Sequence, residues 1–146
     1  MAGGFEIINH TADVGIRVWG KEWREVFHSA AEGMLSIIVD LNTVVEREER
    51  EIRVEGENGE ELLLRWLREI LFLMEEGGMV FSKIEVKKDN FSHKNLYKYF
   101  IYAVLKGEKI DLSRHDICTE IKAVTRHGFF MKRNGLLWEA KILFDV

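Results

Sequence analysis

Two apolar stripes at helical spacing, set in a chain that otherwise alternates, constrain this sequence most. Trp23, Val26, Phe27, Ala30, Ala31, Met34, Leu35 and Ile38 recur at steps of three and one. That spacing predicts a helix with one buried face. The same signal returns in Leu62, Leu63, Trp66, Leu67, Ile70, Leu71 and Met74. Gly77-Gly78 follows, supplying the left-handed stop that helix C-termini favour. Both stripes need a sheet to cover them, and the rest of the chain reads as strands.

Val14, Ile16 and Val18 alternate with Gly15, Arg17 and Trp19, and Ile52 with Val54 makes a short strand. Residues 82–87 alternate cleanly, and Tyr97 to Lys106 is apolar on both faces, as a central strand is. Residues 88–94 read as a polar hairpin connection, and Glu46 to Glu51, alternating in sign, as a solvated loop and strand entry. Ile121 to Thr125 predicts a strand ending in a turn near His127-Gly128, with Gly107 a second isolated turn glycine. Trp138, Ala140, Ile142 and Phe144 alternate with Leu137, Glu139, Lys141 and Leu143. The order predicts an α+β fold, a sandwich with two helices on one face of a mainly antiparallel sheet. With no proline, no Gly/Ser-rich linker and no repeat, residues 1–146 read as a single domain.

Composition excludes some function classes. A net charge of −4 argues against a general nucleic-acid coat, which needs a basic footprint. One cysteine, Cys118, forms no internal disulfide, so a reducing compartment is expected. No apolar run approaches the roughly 20 residues needed to span a bilayer. Residues 1–10 are too short and polar for a signal peptide, so the expectation is a cytoplasmic protein with no membrane partner.

Strand parity draws attention to the two ends. Asp13 shares parity with Gly15 and Arg17, and Asp145 with Glu139 and Lys141. Both carboxylates therefore point away from the helix-covered face, and they converge if the first and last strands are neighbours. Two carboxylates about 4 Å apart repel by about 4 kcal/mol at an effective dielectric near 20, so such a pair needs a cation, a basic side chain or a shared proton. Asp13, Asp145 and an oxygen of Val146, on which the chain stops, suit a hard cation such as Ca²⁺, Mg²⁺ or Mn²⁺. They fall short of a full shell, leaving water or a partner protein to complete it. The bland alternative is that Asp13 caps a turn and Asp145 is a frayed end.

Asp40 stands at the end of the first helix, against its dipole, either as a further acidic group or as the start of a loop. His10 reads as orienting the loop that holds Asp13, and His127 as a strand-turn residue. No histidine pair has zinc-site spacing, and no nucleophile elbow, P-loop or dinucleotide fingerprint appears. Lys122 and Arg126 fall on one strand face, with Lys141 a candidate neighbour, either neutralising the acidic site or forming a solvated face. The basic stretch around residues 87–94 reads as a surface loop rather than an RNA grip.

Motifs along nearly the whole chain carry a resemblance. They are Phe5 with His10-Thr11-Ala12-Asp13-Val14-Gly15, then Phe27, Ala30-Ala31-Glu32-Gly33-Met34 and Val39-Asp40. Residues 61–69, Gly107-Glu108, Asp111, Arg114-His115, residues 121–127 and the closing Asp145-Val146 follow in order. Together they resemble the archease family, with one departure: Arg126 stands where the family pattern has an aromatic. The resemblance implies an accessory protein of tRNA splicing, not an enzyme, whose partner is the RtcB-type tRNA-splicing ligase. It implies help with guanylylation of the ligase, multiple turnover and relaxed nucleotide use, with RNA met only through the ligase. It also implies a metal site, Ca²⁺ first, at Asp13, Asp145 and the main-chain oxygen of Val146. The alternatives are a chaperone or modulator of proteins that process DNA or RNA and, last, a small metal-dependent hydrolase, which lacks a clear general base. An edge strand at either end leaves a homo-oligomer open.

Overall fold

The computed structural model describes residues 3–9, 13–91 and 98–146. Strands β1 (Gly4–Asn9) and β2 (Val14–Gly20) come first, then helix α1 (Trp23–Ile38) and a 3-10 turn (Leu41–Thr43). Strand β3 (Glu48–Gly56) leads into helix α2 (Gly59–Gly77). Strands β4 (Met79–Asn90), β5 (Tyr99–Lys109), β6 (Ala123–Asn134) and β7 (Leu137–Asp145) complete the order. All pairings are antiparallel, in a four-stranded sheet β1-β2-β7-β6 and a three-stranded sheet β3-β5-β4. The expected α+β class holds, with the sheet divided in two. Each helix touches both sheets: α1 packs on β1, β2 and β7 and on β4, while α2 packs on β3, β4 and β5 and on β6.

That placement explains the width of the stripes. Phe27 and Trp66 are fully buried between the layers, and the Trp66 indole N–H donates to the Phe27 carbonyl at 3.0 Å. A polar atom that burial cuts off from water is thereby satisfied. Helix α2 has both of its stops. The Asn58 side chain accepts from the Glu61 N–H at 2.8 Å, and Gly78 takes the left-handed conformation at φ 61°.

The strands depart from the sequence reading where only one face is buried or a bulge intervenes. β1 was not expected, because Glu6 and Ile7 are both exposed and no alternation results. β3 begins at Glu48, so part of the charged run is strand: its outward residues Glu49, Glu51, Arg53 and Glu55 form a charged edge over buried Ile52 and Val54. β4 runs on to Asn90, through residues read as a connection. β5 is the central strand of its sheet, as expected. The turn near His127-Gly128 is instead a bulge within a longer β6, with the register shifting between Thr125 and Phe130 and Gly128 at φ 66°. Gly107 is not a turn residue either. It sits inside β5, where a Cβ would come within 1.9 Å of the Val80 carbonyl of β4.

Candidate functional site

The site is set by lengths and register. Helix α1 has 16 residues, about 24 Å at 1.5 Å each, and β2 has seven, about 23 Å at 3.3 Å each. The helix turns back along its own strand, with Glu25 and Val26 beside Gly20 and Gly33 beside Ile16. Its end therefore returns to the start of β2, and Asp40 emerges at the same end of the sheet as Asp13. On the other side of β2, Val14 lies opposite Phe144 in β7. Continued one residue past the start of β2, that register brings Asp13 opposite Asp145.

First and last strands of the motif pair are thus neighbours, and both carboxylates fall on the face away from buried Ile16, Val18, Ile142 and Phe144. Asp13 is half-buried and Asp145 exposed. Directly opposed cross-strand residues have Cβ atoms about 5 Å apart, a spacing at which like charges destabilise. Neither carboxylate meets a cation among the described residues. The Asp145 carbonyl accepts the Lys122 N–H at 2.7 Å, which leaves the oxygens of Val146 as the next main-chain donors along the chain.

Lys122 is therefore brought to the acidic end by its backbone, with its side chain exposed. Asp40 has local work: it caps the 3-10 turn, its side chain accepting from the Asn42 N–H at 3.1 Å. His10 lies outside the described residues, as do His93 and Lys94. The other basic residues expected near the site are elsewhere. Arg126 forms a forked pair with Glu61 of α2, both contacts at 3.0 Å, and this pair leads in holding the Glu61 carboxyl below its ordinary range. Lys141 faces Arg17 across the sheet, four residues and about 13 Å along β7 from Asp145.

By donor type the residues fit a hard divalent cation, since they offer carboxylate and main-chain oxygens and no sulfur. Among the described residues no three His, Cys, Asp or Glu side chains cluster closely enough to hold an ion. Two carboxylates and a main-chain oxygen thus form a partial shell that needs outside ligands.

A buried clasp holds the segment leading into this end. Glu108 and His115 are 3% and 1% exposed. His115 Nδ1 accepts the Asp111 N–H at 2.9 Å, so its Nε2–H faces Glu108 Oε2 at 3.0 Å as the donor. Arg114 reaches Glu108 Oε1 at 2.6 Å, and the Val45 N–H donates to Oε2 at 2.7 Å. Arg114, then Val45 and His115, hold the Glu108 carboxyl down to about 2. The clasp fixes residues 108–115, and the Cys118 N–H to Ile38 carbonyl bond at 2.8 Å continues the tie. The sequence reading assigned these residues no role. An acid seven positions before a histidine has no periodic signature, and one of its partners comes from another element.

Comparison with known proteins gives consistent matches. The profile of the archease protein family (MTH1598/TM1083) matches residues 5–146. The archease of Methanopyrus kandleri is 39% identical over 142 residues, covering 97% of this chain and 99% of that protein. The archease of Pyrococcus abyssi is 36% identical over 144 residues, covering 97% and 98%. The solution structure of Methanobacterium thermoautotrophicum protein 1598 superposes with a TM-score of 0.82 at 29% identity, over 98% of this chain and 99% of that one. A crystal structure from Thermotoga maritima, described as an archease and possible chaperone, superposes at 0.63 with 22% identity, over 95% and 94%.

Proposed function

The chain belongs to the archease family, and from that premise we propose that it is a non-catalytic activator of an RtcB-type tRNA-splicing RNA ligase. It promotes guanylylation of the ligase and multiple turnover, and broadens nucleotide use, meeting RNA only through its partner. The observation that carries this reading is the β2–β7 register, which sets two uncompensated carboxylates opposite each other at an open end of the sheet. Such an end is unstable in charge and incomplete in ligands, which suits a group that is completed by another protein.

Asp13, Asp145 and a main-chain oxygen of Val146 would hold the divalent cation, Ca²⁺ or else Mg²⁺ or Mn²⁺. A bound ion supplies charge neutralisation and a contact for phosphate oxygens. The residues of this chain present that end, Asp40 contributes negative potential from the helix terminus, and the Lys122 N–H holds the start of its strand against the Asp145 carbonyl. No helix among the described residues is long and apolar enough to cross a membrane. We place the activity in the cytoplasm, with the ligase.

The test is ligase guanylylation and multiple-turnover ligation with and without this protein. Stimulation should vanish with Asp13→Ala and with Asp145→Ala in protein that keeps its melting transition. Unchanged stimulation by both variants would falsify the acidic-site mechanism.

A second reading is a chaperone or modulator of proteins that process DNA or RNA, favoured by the description of the Thermotoga maritima protein as a possible chaperone. The strongly exposed apolar side chains Leu136, Leu112, Phe72 and Ile7 belong to separate parts of the chain. Suppression of aggregation of unrelated client proteins, measured by light scattering, would favour this second reading.

A further inference from the structure

Both helices end at one groove. Ile38 of α1, Leu71 and Met74 of α2, and Ile110, Ile117 and Ile121 from the segment after β5 line a cavity of about 240 Å³. Ile110 and Ile117 are 40% and 37% exposed, so the groove presents hydrocarbon to solvent. The charged residues lining it are Glu75 and Glu120, both exposed, and neither meets a cation among the described residues. Glu75 lies in the last turn of α2, facing the negative end of the helix dipole. Neither helix has a basic residue in its last turn.

The groove is continuous with the acidic end. Ile38 stands two residues before Asp40, and Ile121 immediately precedes Lys122, whose N–H donates to the Asp145 carbonyl. An apolar floor, two unpaired carboxylates, two negative helix termini and no lining cation define their own complement. It is an apolar side chain flanked by Lys or Arg. A neutral apolar segment would fill the floor but leave the carboxylates unpaired, and a bare cation would leave the isoleucines exposed.

We propose that this groove is the docking surface for a partner-protein segment that carries an apolar anchor beside Lys or Arg. The inference rests on the activator reading, in which that partner is the ligase. The anchor seats between the ends of α1 and α2, and the basic residues beside it meet Glu75 and Glu120. Docking there sets Asp13 and Asp145 against the surface of the same partner.

The test measures binding of the full chain to a purified RtcB-type ligase by calorimetry, together with stimulation of guanylylation. The Glu75→Lys/Glu120→Lys variant should weaken binding about tenfold or more, with the difference shrinking as salt is raised. Glu75→Lys alone should melt no lower than the parent, since a cation suits a helix C-terminus, so lost binding is not lost folding. Ile117→Asn tests the apolar floor and should weaken binding with little dependence on salt. If both variants bind and stimulate like the parent, the groove is not the docking surface, while the activator reading stands. If the parent itself neither binds nor stimulates an otherwise competent ligase, the activator reading fails and takes this inference with it. If the variants lose self-association and keep ligase binding, the groove joins copies of this chain and the proposal is overturned.

Discussion

Asp13 and Asp145 are like charges set opposite each other by register, and that arrangement costs stability when nothing lies between them. Asp145→Asn in the isolated chain is predicted to leave stability unchanged or raise it by about 0.2–1 kcal/mol. Added Ca²⁺ should raise the melting temperature of the parent but not of the variant, as calorimetry in both conditions would show. Glu108 makes the opposite case, a carboxylate whose partners favour its charged form. Its carboxyl lies at about 2 in the fold against 4.5 ordinarily, so the ionised state is the one folding stabilises. That contribution is fully present above 4.5 and is lost as pH falls towards about 2. Glu108→Gln should therefore be less stable than the parent above pH 4.5, and the gap should close in that acid window when urea midpoints are compared across pH. Glu85, held down to about 2 by Lys106 and then Lys87, titrates in the same window and serves as a control through Glu85→Gln. The parity of Asp13 and Asp145 is a local property and so could be read from the sequence, whereas the pairing of β2 with β7 could not. Nor could the Glu108 clasp, because its partners Val45, Arg114 and His115 are joined only by the folded chain.

Helix α2 was legible from Leu62 to its end, since a period near 3.6 and the Gly77-Gly78 stop agree, whereas its Asn58 cap was not singled out. Asn58→Ala should cost about 1 kcal/mol, through the N–H of Glu61 that its side chain accepts. Glu75→Lys should add about 0.3–1 kcal/mol by relieving the dipole at the other end. Chemical denaturation of the two variants, compared with the parent, checks both signs. The strands were read less completely. Edge strand β1 does not alternate, the first half of β3 carries charged residues on both faces, and β6 hides its continuation behind a bulge. Gly107 shows the same limit, since nothing local marks a glycine required by the approach of another strand. Gly107→Ala should destabilise by about 1–3 kcal/mol, because the Val80 carbonyl has to move.

In the whole molecule, two sheets enclose two parallel-ending helices and gather acidic groups from distant parts of the chain at one end. Asp13 arrives just before β2, Asp40 after α1, Glu75 in the last turn of α2 and Asp145 at the end of β7. The sequence showed Asp13, Asp40 and Asp145 but neither Glu75 nor the gathering, which depends on α1 matching β2 in length and on β7 lying beside β2. A pole built this way costs the isolated protein stability and becomes useful when a cationic partner meets it. We propose that this pole is what activates the ligase. The most direct measurement is guanylylation of an RtcB-type ligase with the parent protein and with Asp13→Ala, both shown to be folded. Marked stimulation by the parent and none by the variant is the expected result. Equal stimulation by the two, or none by either with a competent ligase, would contradict it.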